Sequence, residues 1–289
     1  MCPVWGIFFG MKSTIAIQGA KGSFHEIAAM QYFRKDINVL ECETFPSFFK
    51  AMQTDKCNYG VMAIENSVVG TILSNYGLLK QSSLQIIGEI YLRIEHHLMA
   101  LKGQSLPDIE QVKSHRMAIL QCDEFLDKQP NLQIVNGTDT ALIAAEIANN
   151  KIEKLAAIAS RRAAEINGLD ILAENIENNH RNFTRFLVLE TKDENKALQF
   201  EGFNKTSMSF HVGHRPGTLA HVLSTFSYYQ LNLSKIQSMP VVGEEWHYYF
   251  HIDVEYDDFE IIQQCLEGIT PFINNLNILG IYNRGDKPS

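Results

Sequence analysis

The chain has 289 residues, enough for one large domain or two ordinary ones with a buried core. Hydrophobic residues make up 45% and charged residues 20%, the balance of an ordinary globular protein, and the net charge of −8 argues against a nucleic-acid surface, which needs a basic stripe. No apolar run approaches the roughly 20 residues of a membrane span. The segment "MCPVWGIFFG" has no basic n-region and no cleavage site after an apolar core, so it does not read as a signal peptide, and Met11–Lys12 reads as the natural start. Cys2, Cys42, Cys57, Cys122 and Cys265 are odd in number and lack C-x-x-C spacing, which predicts reduced thiols and a cytoplasmic protein.

From Lys12 the pattern alternates short strands with helices. "STIAIQG" predicts a strand and "SFHEIAAMQYF" a helix; "YGVMAIENS" and "TILSNYGLLK" repeat the pair. "LQIIGEIYLRIEHHLMAL" reads as a long extended stretch with a bend. "RMAILQCDEFLDKQ" predicts a helix, "LQIVNG" a strand, "TDTALIAAEIANN" a helix, and "KLAAIAS" a strand. "SRRAAEING" predicts a helix stopped at Gly168, and "LDILAENI" a strand. This order predicts an α/β architecture with largely parallel sheets. "ETKDENKALQFEGFNK" is polar without periodicity and reads as a linker. Beyond it, "TSMSFHVG", "LAHVLSTFSYYQ", "LNLSKIQSM", "WHYYFHIDVE", "DFEIIQQCLEGI" and "LNILGIY" give βαββαβ, a ferredoxin-like split unit. The apolar side of its third strand is Trp246, Tyr248, Phe250, Ile252 and Val254, with His247 and His251 on the polar side.

Three stretches offer chemistry. In "GAKGSFHEIAA", Ser23 and Glu26 have capping-box spacing after two glycines at a strand end. That is either a site for a carboxylate or phosphate, or an ordinary capped helix. In "AIENSVVG", Glu65, Asn66 and Ser67 follow an apolar strand, where open α/β sheets bind ligands, or they form a turn with an Asx motif. In "NFTRFLVL", Asn182, Thr184 and Arg185 stand at the mouth of an apolar strand, where Thr184 and Arg185 need polar partners. Ser114 and Gln121 lie seven apart and need not share a face. His211-x-x-His214 crosses into a Pro-Gly turn, and no helix carries paired histidines beside an acid, so no metal site is expected. Hydroxyls, amides and one Arg suit hydrogen bonding to a small polyanion better than covalent chemistry.

Together the three motifs, in this order and spacing, resemble the prephenate dehydratase family over nearly the whole chain beyond Lys12. "AIENSVVG" is similar to the family's P-I-E-N-S-x-x-G, with Ala63 for Pro, and "NFTRFLVL" to its N-x-T-R-F. The resemblance implies a catalytic domain over residues 11–190, built of two α/β subdomains like a periplasmic binding protein with the site in the cleft. It implies a linker at 191–204 and an ACT regulatory domain at 205–284. The implied reaction is cofactor-free loss of carbon dioxide and the ring hydroxyl from prephenate, giving phenylpyruvate on the route to phenylalanine.

Catalytic roles fall on Thr184, Asn66 and Gln121 by the resemblance, and substrate contacts on Gly22, Ser23, Ser67, Ser114, Arg185 and Phe186. Arg116 stands where the family has Pro. Strand alternation places Arg185 opposite Thr184, so Arg185 either grips a substrate carboxylate or is a structural ion-pair residue. The L-phenylalanine effector site would involve Gly217, Thr218 and Leu219 ("GTLA") and Gln237, Ser238 and Pro240 ("QSMP"), where the Glu and Arg of the family's E-S-R-P are replaced. A monofunctional homodimer or homotetramer is expected. Arogenate dehydration and non-enzymatic carboxylate sensing are the alternatives.

Overall fold

The computed structural model describes residues 13–34, 37–54, 56–193, 197–213, 215–241, 243 and 247–287. Cys2, Met11, His214 and Trp246 therefore lie outside the described residues. The first apolar run forms β1 (Thr14–Gln18), with Ile15, Ala16 and Ile17 fully buried. It is followed by α1 (Phe24–Phe33), β2 (Asn38–Cys42), α2 (Phe45–Met52), β3 (Tyr59–Asn66), β4 (Gly70–Thr71) and α3 (Leu73–Gln81). Side chains set the helix starts: Ser23 Oγ accepts from Glu26 N–H at α1, and Thr44 and Ser47 cap α2 reciprocally. β1 lies between β2 and β3 and is parallel to both.

Next comes β5 (Leu84–Arg93), which ends the first lobe; residues 94–96 carry the chain across to β6 (His97–Ala100). The second lobe continues with β7 (Gln111–His115), α4 (Arg116–Leu120), α5 (Asp123–Leu126), β8 (Gln133–Gly137), α6 (Thr140–Asn150), β9 (Leu155–Ala159), α7 (Arg161–Asn167) and β10 (Asp170–Ala173). Its sheet runs β10-β6-β9-β7-β8. The chain then returns as β11 (Phe183–Thr191) between β3 and β5.

Both sheets are mixed rather than largely parallel. β11 is antiparallel to β3 and β5, and β6 is antiparallel to β9 and β10. The cause is the double crossing: β5 leaves the first lobe and β11 re-enters it alongside, so the two must run oppositely. The crossings are hydrogen-bonded to each other. Ile94 N–H donates to Asn182 O at 2.8 Å, and Ile176 N–H to His96 O at 2.9 Å.

The C-terminal unit is β12 (Lys205–Val212), α8 (Thr218–Tyr228), β13 (Asn232–Pro240), β14 (Tyr248–Glu255), α9 (Phe259–Ile269) and β15 (Ile273–Tyr282), the expected βαββαβ order. Its apolar core includes Met208, Phe210, Val222, Phe226, Ile252 and Val254. Its sheet is not separate. β15 lies beside β5, joining everything from β13 to β2 into one ten-stranded sheet. Gly280 permits this contact, since a Cβ there would sit 2.2 Å from Ile86 O. The segment expected to be a linker is anchored: Thr191 still belongs to β11, and Phe200 is buried in the C-terminal core.

The polar side of β14 is buried, not solvated. His251, Asp253 and Glu255 face the first lobe, where β11 and β5 bring Arg185 and Glu89. Arg185 donates to Glu89 at 2.7 Å, to Asp253 at 2.5 Å and to the Tyr282 hydroxyl at 3.1 Å. Lys205, fully buried, donates to Glu89 at 3.0 Å and reaches Glu255 at 3.5 Å. Opposite charges alternate through the cluster, which is the condition for burying them at all. Burial alone would raise the Asp253 pKa, but Arg185 and the hydrogen bond with His251 outweigh it and hold the carboxyl well below its usual range. Glu255 is likewise held down to about 2, burial being outweighed by Lys287 and Lys205.

The sign of the pH dependence follows. Both folded-state pKa values lie below their ordinary values of 3.8 and 4.5. Their stabilisation is therefore complete above that range and is lost as pH falls through it. The melting temperature should hold between about pH 8 and about pH 5 and drop steeply from about pH 4.5 towards about pH 2. Asp253→Asn should flatten that acid limb and lower the neutral-pH melting temperature, both read by a thermal melt series.

Candidate active site

The site is built outward from one asparagine whose orientation the backbone fixes. Asn66 ends β3, and its Oδ1 accepts from the N–H groups of Val68 and Val69, each at 2.9 Å. This is an Asx turn, completed by Gly70 at φ +90°. The turn reading of "ENSVVG" is the one observed, and the turn aims the other end of the amide. Backbone N–H groups can only donate, so Nδ2 must lie on the opposite side. It donates to Asn182 Oδ1 at 2.7 Å and to Thr184 Oγ1 at 2.9 Å. Asn182 Nδ2 then donates to Gln121 Oε1 at 2.9 Å. His96 Nε2 lies 3.0 Å from the same oxygen. An amide oxygen only accepts, so His96 Nε2 carries a hydrogen.

Both lobes and both crossings contribute. Thr184 lies on β11 directly opposite Asn66 on β3. His96 and Asn182 sit on the two crossings. Gln121 belongs to the second lobe, at the break between α4 and α5 where one continuous helix was expected. The break is held by Gln121 N–H donating to Met117 O and by Asn178 N–H donating to Gln121 O at 2.7 Å. Behind His96 lies buried Glu177, which accepts from His96 N–H at 2.9 Å and stands 3.9 Å from Arg93.

The chain of amides has a direction. Thr184 Oγ1 accepts within it, so its own hydrogen is available to a ligand. Gln121 Oε1 accepts twice, and Gln121 Nε2 has no partner among the described residues. The network thus presents hydrogen-bond donors, one hydroxyl and one amide, from two lobes. His25 adds no charge: burial lowers its pKa to about 4, its Nε2 accepts from Ala63 N–H, and its ring packs edge-on against Phe186 at 5.1 Å. A cavity of about 590 Å³ also opens between the lobes, with Gln18, Thr44 and Ser74 on one wall and His115 on the other.

Thr184, Asn66 and Gln121 are thus brought together as expected. Sequence reasoning missed His96, and it left Asn182 outside the site. Asn182 stands two residues before Thr184, the period that places both on one side of a strand.

Other expected contacts are placed elsewhere. Gly22 N–H donates to Glu26 at 2.6 Å, Gly22 O accepts from Ser160, and Ser23 is buried as the cap of α1. Arg162 closes on Glu26 from the second lobe at 2.9 Å. The helix entrance expected to hold an anion is therefore filled by the protein's own carboxylate. Ser114 is fully buried and donates to Ile158 O at 2.7 Å within the second sheet. Ser67 accepts from Phe183 N–H and donates to Arg181 O, pinning the return strand. Phe186 packs in the core of the first lobe. Arg185, on the opposite side of β11 from Thr184, is fully engaged in the buried charge cluster and does not reach the site. Strand alternation is the reason, and its expected role as a substrate ligand is withdrawn.

In the C-terminal unit, Gly217 and Leu219 line a cavity of about 430 Å³ with Arg215, His247 and Tyr248. Thr218 Oγ1 donates to Arg215 O. Gln237, Ser238 and Pro240 lie on the edge strand β13 and do not line that cavity.

A family model described as "Prephenate dehydratase" matches residues 15–194. A bifunctional chorismate mutase/prephenate dehydratase from Aquifex aeolicus is 34% identical over 94% of this chain and 74% of its own length. Among solved structures, one described as a novel type of quorum quenching acylase has a TM-score of 0.84 and 29% identity, covering 94% of this chain and 98% of its own. The prephenate dehydratase of Arthrobacter aurescens in complex with L-Phe has a TM-score of 0.81 and 28% identity, covering 94% and 90%. The family match over most of the chain and the relative that spans it assign the protein: it belongs to the prephenate dehydratase family.

Proposed function

We propose that this chain is a carbon–oxygen lyase that converts prephenate to phenylpyruvate, carbon dioxide and water, a step toward L-phenylalanine. The observation that carries the reading is the direction of the amide chain. When the ring carboxylate leaves as carbon dioxide, its bonding electrons enter the ring and the ring carbon–hydroxyl bond breaks. Negative charge develops on the departing oxygen, which needs a donor fixed in place beforehand. Thr184 Oγ1 is held as an acceptor from Asn66, so its hydrogen is aimed outward. It polarises the leaving hydroxyl by hydrogen bonding, since a threonine hydroxyl is too weak an acid for full transfer, and the departing hydroxide takes the proton that makes it water from solvent. Gln121 supplies a second donor from the facing lobe. Formation of the aromatic ring drives the rest.

The same geometry argues against acyl transfer. A nucleophilic threonine needs a base to take its proton. The hydrogen-bond partner of Thr184 Oγ1 is an amide donor instead.

The domain reading that accompanies this function is a catalytic part at 11–190, a connecting segment at 191–204 and an ACT regulatory domain at 205–284. The two lobes with a site between them support a periplasmic-binding-like catalytic part. The βαββαβ unit and its cavity beside Gly217 support regulation by an amino acid, L-phenylalanine first. A homodimer or homotetramer in the cytoplasm completes the reading; among the described residues no helix is long and apolar enough to cross a membrane.

Thr184→Val keeps the shape and removes the donor. It should lower kcat on prephenate by about a hundredfold or more, while Thr184→Ser stays within about tenfold of wild type. Phenylpyruvate absorbance in base reads both, and arogenate assayed alongside decides between the two substrates. Equal rates for Thr184→Val and wild type would remove Thr184 from the reaction. Isothermal titration with L-phenylalanine should give saturable binding that Gly217→Val weakens at least about tenfold, because a branched side chain at φ +86° is strained.

A further inference from the structure

Residue His96 lies in the bend "IEHHLM", on the first crossing between the lobes, and it is 3% exposed. Its ring meets Phe24 edge-on at 5.5 Å, and its backbone N–H and C=O are bonded to Glu177 and Ile176. None of this needs an imidazole. Among the described residues the one ring atom with a partner is Nε2, 3.0 Å from Gln121 Oε1, and buried Nδ1 has no hydrogen-bond partner. A buried nitrogen left unpaired is a cost, so an apolar side chain would serve packing better. What the imidazole alone supplies is the Nε2–H bond to Gln121.

We propose that His96 is a positioning residue for the dehydration, acting as the neutral Nε2–H tautomer that locks the Gln121 amide with its NH₂ group turned to the substrate. The inference rests on the prephenate dehydratase reading above. The backbone donors at Val68 and Val69 fix Asn66, Asn66 fixes Asn182, and Asn182 reaches Gln121 from one side. One donor leaves the Gln121 amide free to rotate about its last bond. The second donor, His96, removes that freedom, and Gln121 keeps both of its own hydrogens for the ligand. Burial lowers the His96 pKa, the largest effect on it, which favours the uncharged ring. An Nδ1–H tautomer would face two acceptors across 3.0 Å.

The test compares wild type, His96→Leu and His96→Gln, with kcat and KM on prephenate, circular dichroism and a thermal melt for each. Glutamine places an N–H donor at about the reach of Nε2; leucine does not. His96→Leu should fold and lose about tenfold or more in kcat with KM within about threefold, and His96→Gln should return to within about threefold of wild type. Long-range ¹H–¹⁵N spectra of wild-type histidine rings should show the His96 hydrogen on Nε2. Leucine at full kcat overturns the proposal, as does glutamine no better than leucine, or a hydrogen on Nδ1. If His96→Leu does not fold, the glutamine variant and the ring spectrum decide. Wild type that turns over no prephenate overturns the functional reading, and the proposal with it, a pattern distinct from an active wild type with an indifferent His96.

Discussion

Arg185 brings a positive charge into the interior, and the structure is arranged around that fact. An unpaired buried guanidinium is not tolerated, so Glu89 from the neighbouring strand and Asp253 from the C-terminal unit must both be present. Lys205 then donates to Glu89 and Ser207 to Asp253, while the Tyr282 hydroxyl accepts from Arg185 and bonds Ser207. The C-terminal unit is thereby fastened to the first lobe by charge as well as by the shared sheet. The residue next to Arg185 in the chain is Thr184. A strand turns successive side chains to opposite sides, so fixing Arg185 on one side of β11 fixes Thr184 on the other. The charge cluster and the Thr184 hydroxyl are on two sides of one strand.

On the Thr184 side the logic changes from charge to direction. Four amide or imidazole groups and one hydroxyl could be arranged in many ways in which donors and acceptors pair off and nothing remains for a ligand. One constraint removes that freedom: two backbone N–H groups hold Asn66 Oδ1. Every later orientation follows from it. The outcome is a Thr184 hydrogen and a Gln121 NH₂ group that are left without a partner among the described residues. That pattern fits a reaction in which negative charge appears on a leaving oxygen.

Much of the local structure was readable because its causes are local. The cap at Ser23, the stop at Gly168 and the alternation in "TSMSFHV" each sit within a few residues of the element they define. The site residues Thr184, Asn66 and Gln121 were reached through motif resemblance, and Asn182 could have been added from strand period. What was not readable depends on distance along the chain. The partners of Arg185 lie 96 and 68 positions away. Ser160 and Arg162, which close on Gly22 and Glu26 from the second lobe, lie 138 and 136 positions away. Nothing in "GAKGS" itself says that a second lobe will close on it. His96 stayed hidden for a different reason: "EHH" in a bend carries no period and no spacing that pairs it with Gln121.

The central claim is that Asn66 gives Thr184 its outward hydrogen. Asn66→Asp tests it most directly, because the change is isosteric, keeps an oxygen for the Val68 and Val69 N–H groups, and turns the donor facing Thr184 into an acceptor. The Thr184 hydroxyl would then donate inward, away from the substrate. Single-turnover formation of phenylpyruvate from prephenate should fall by about a hundredfold or more in a variant that melts close to wild type. A folded Asn66→Asp enzyme that forms product at the wild-type rate would contradict the account.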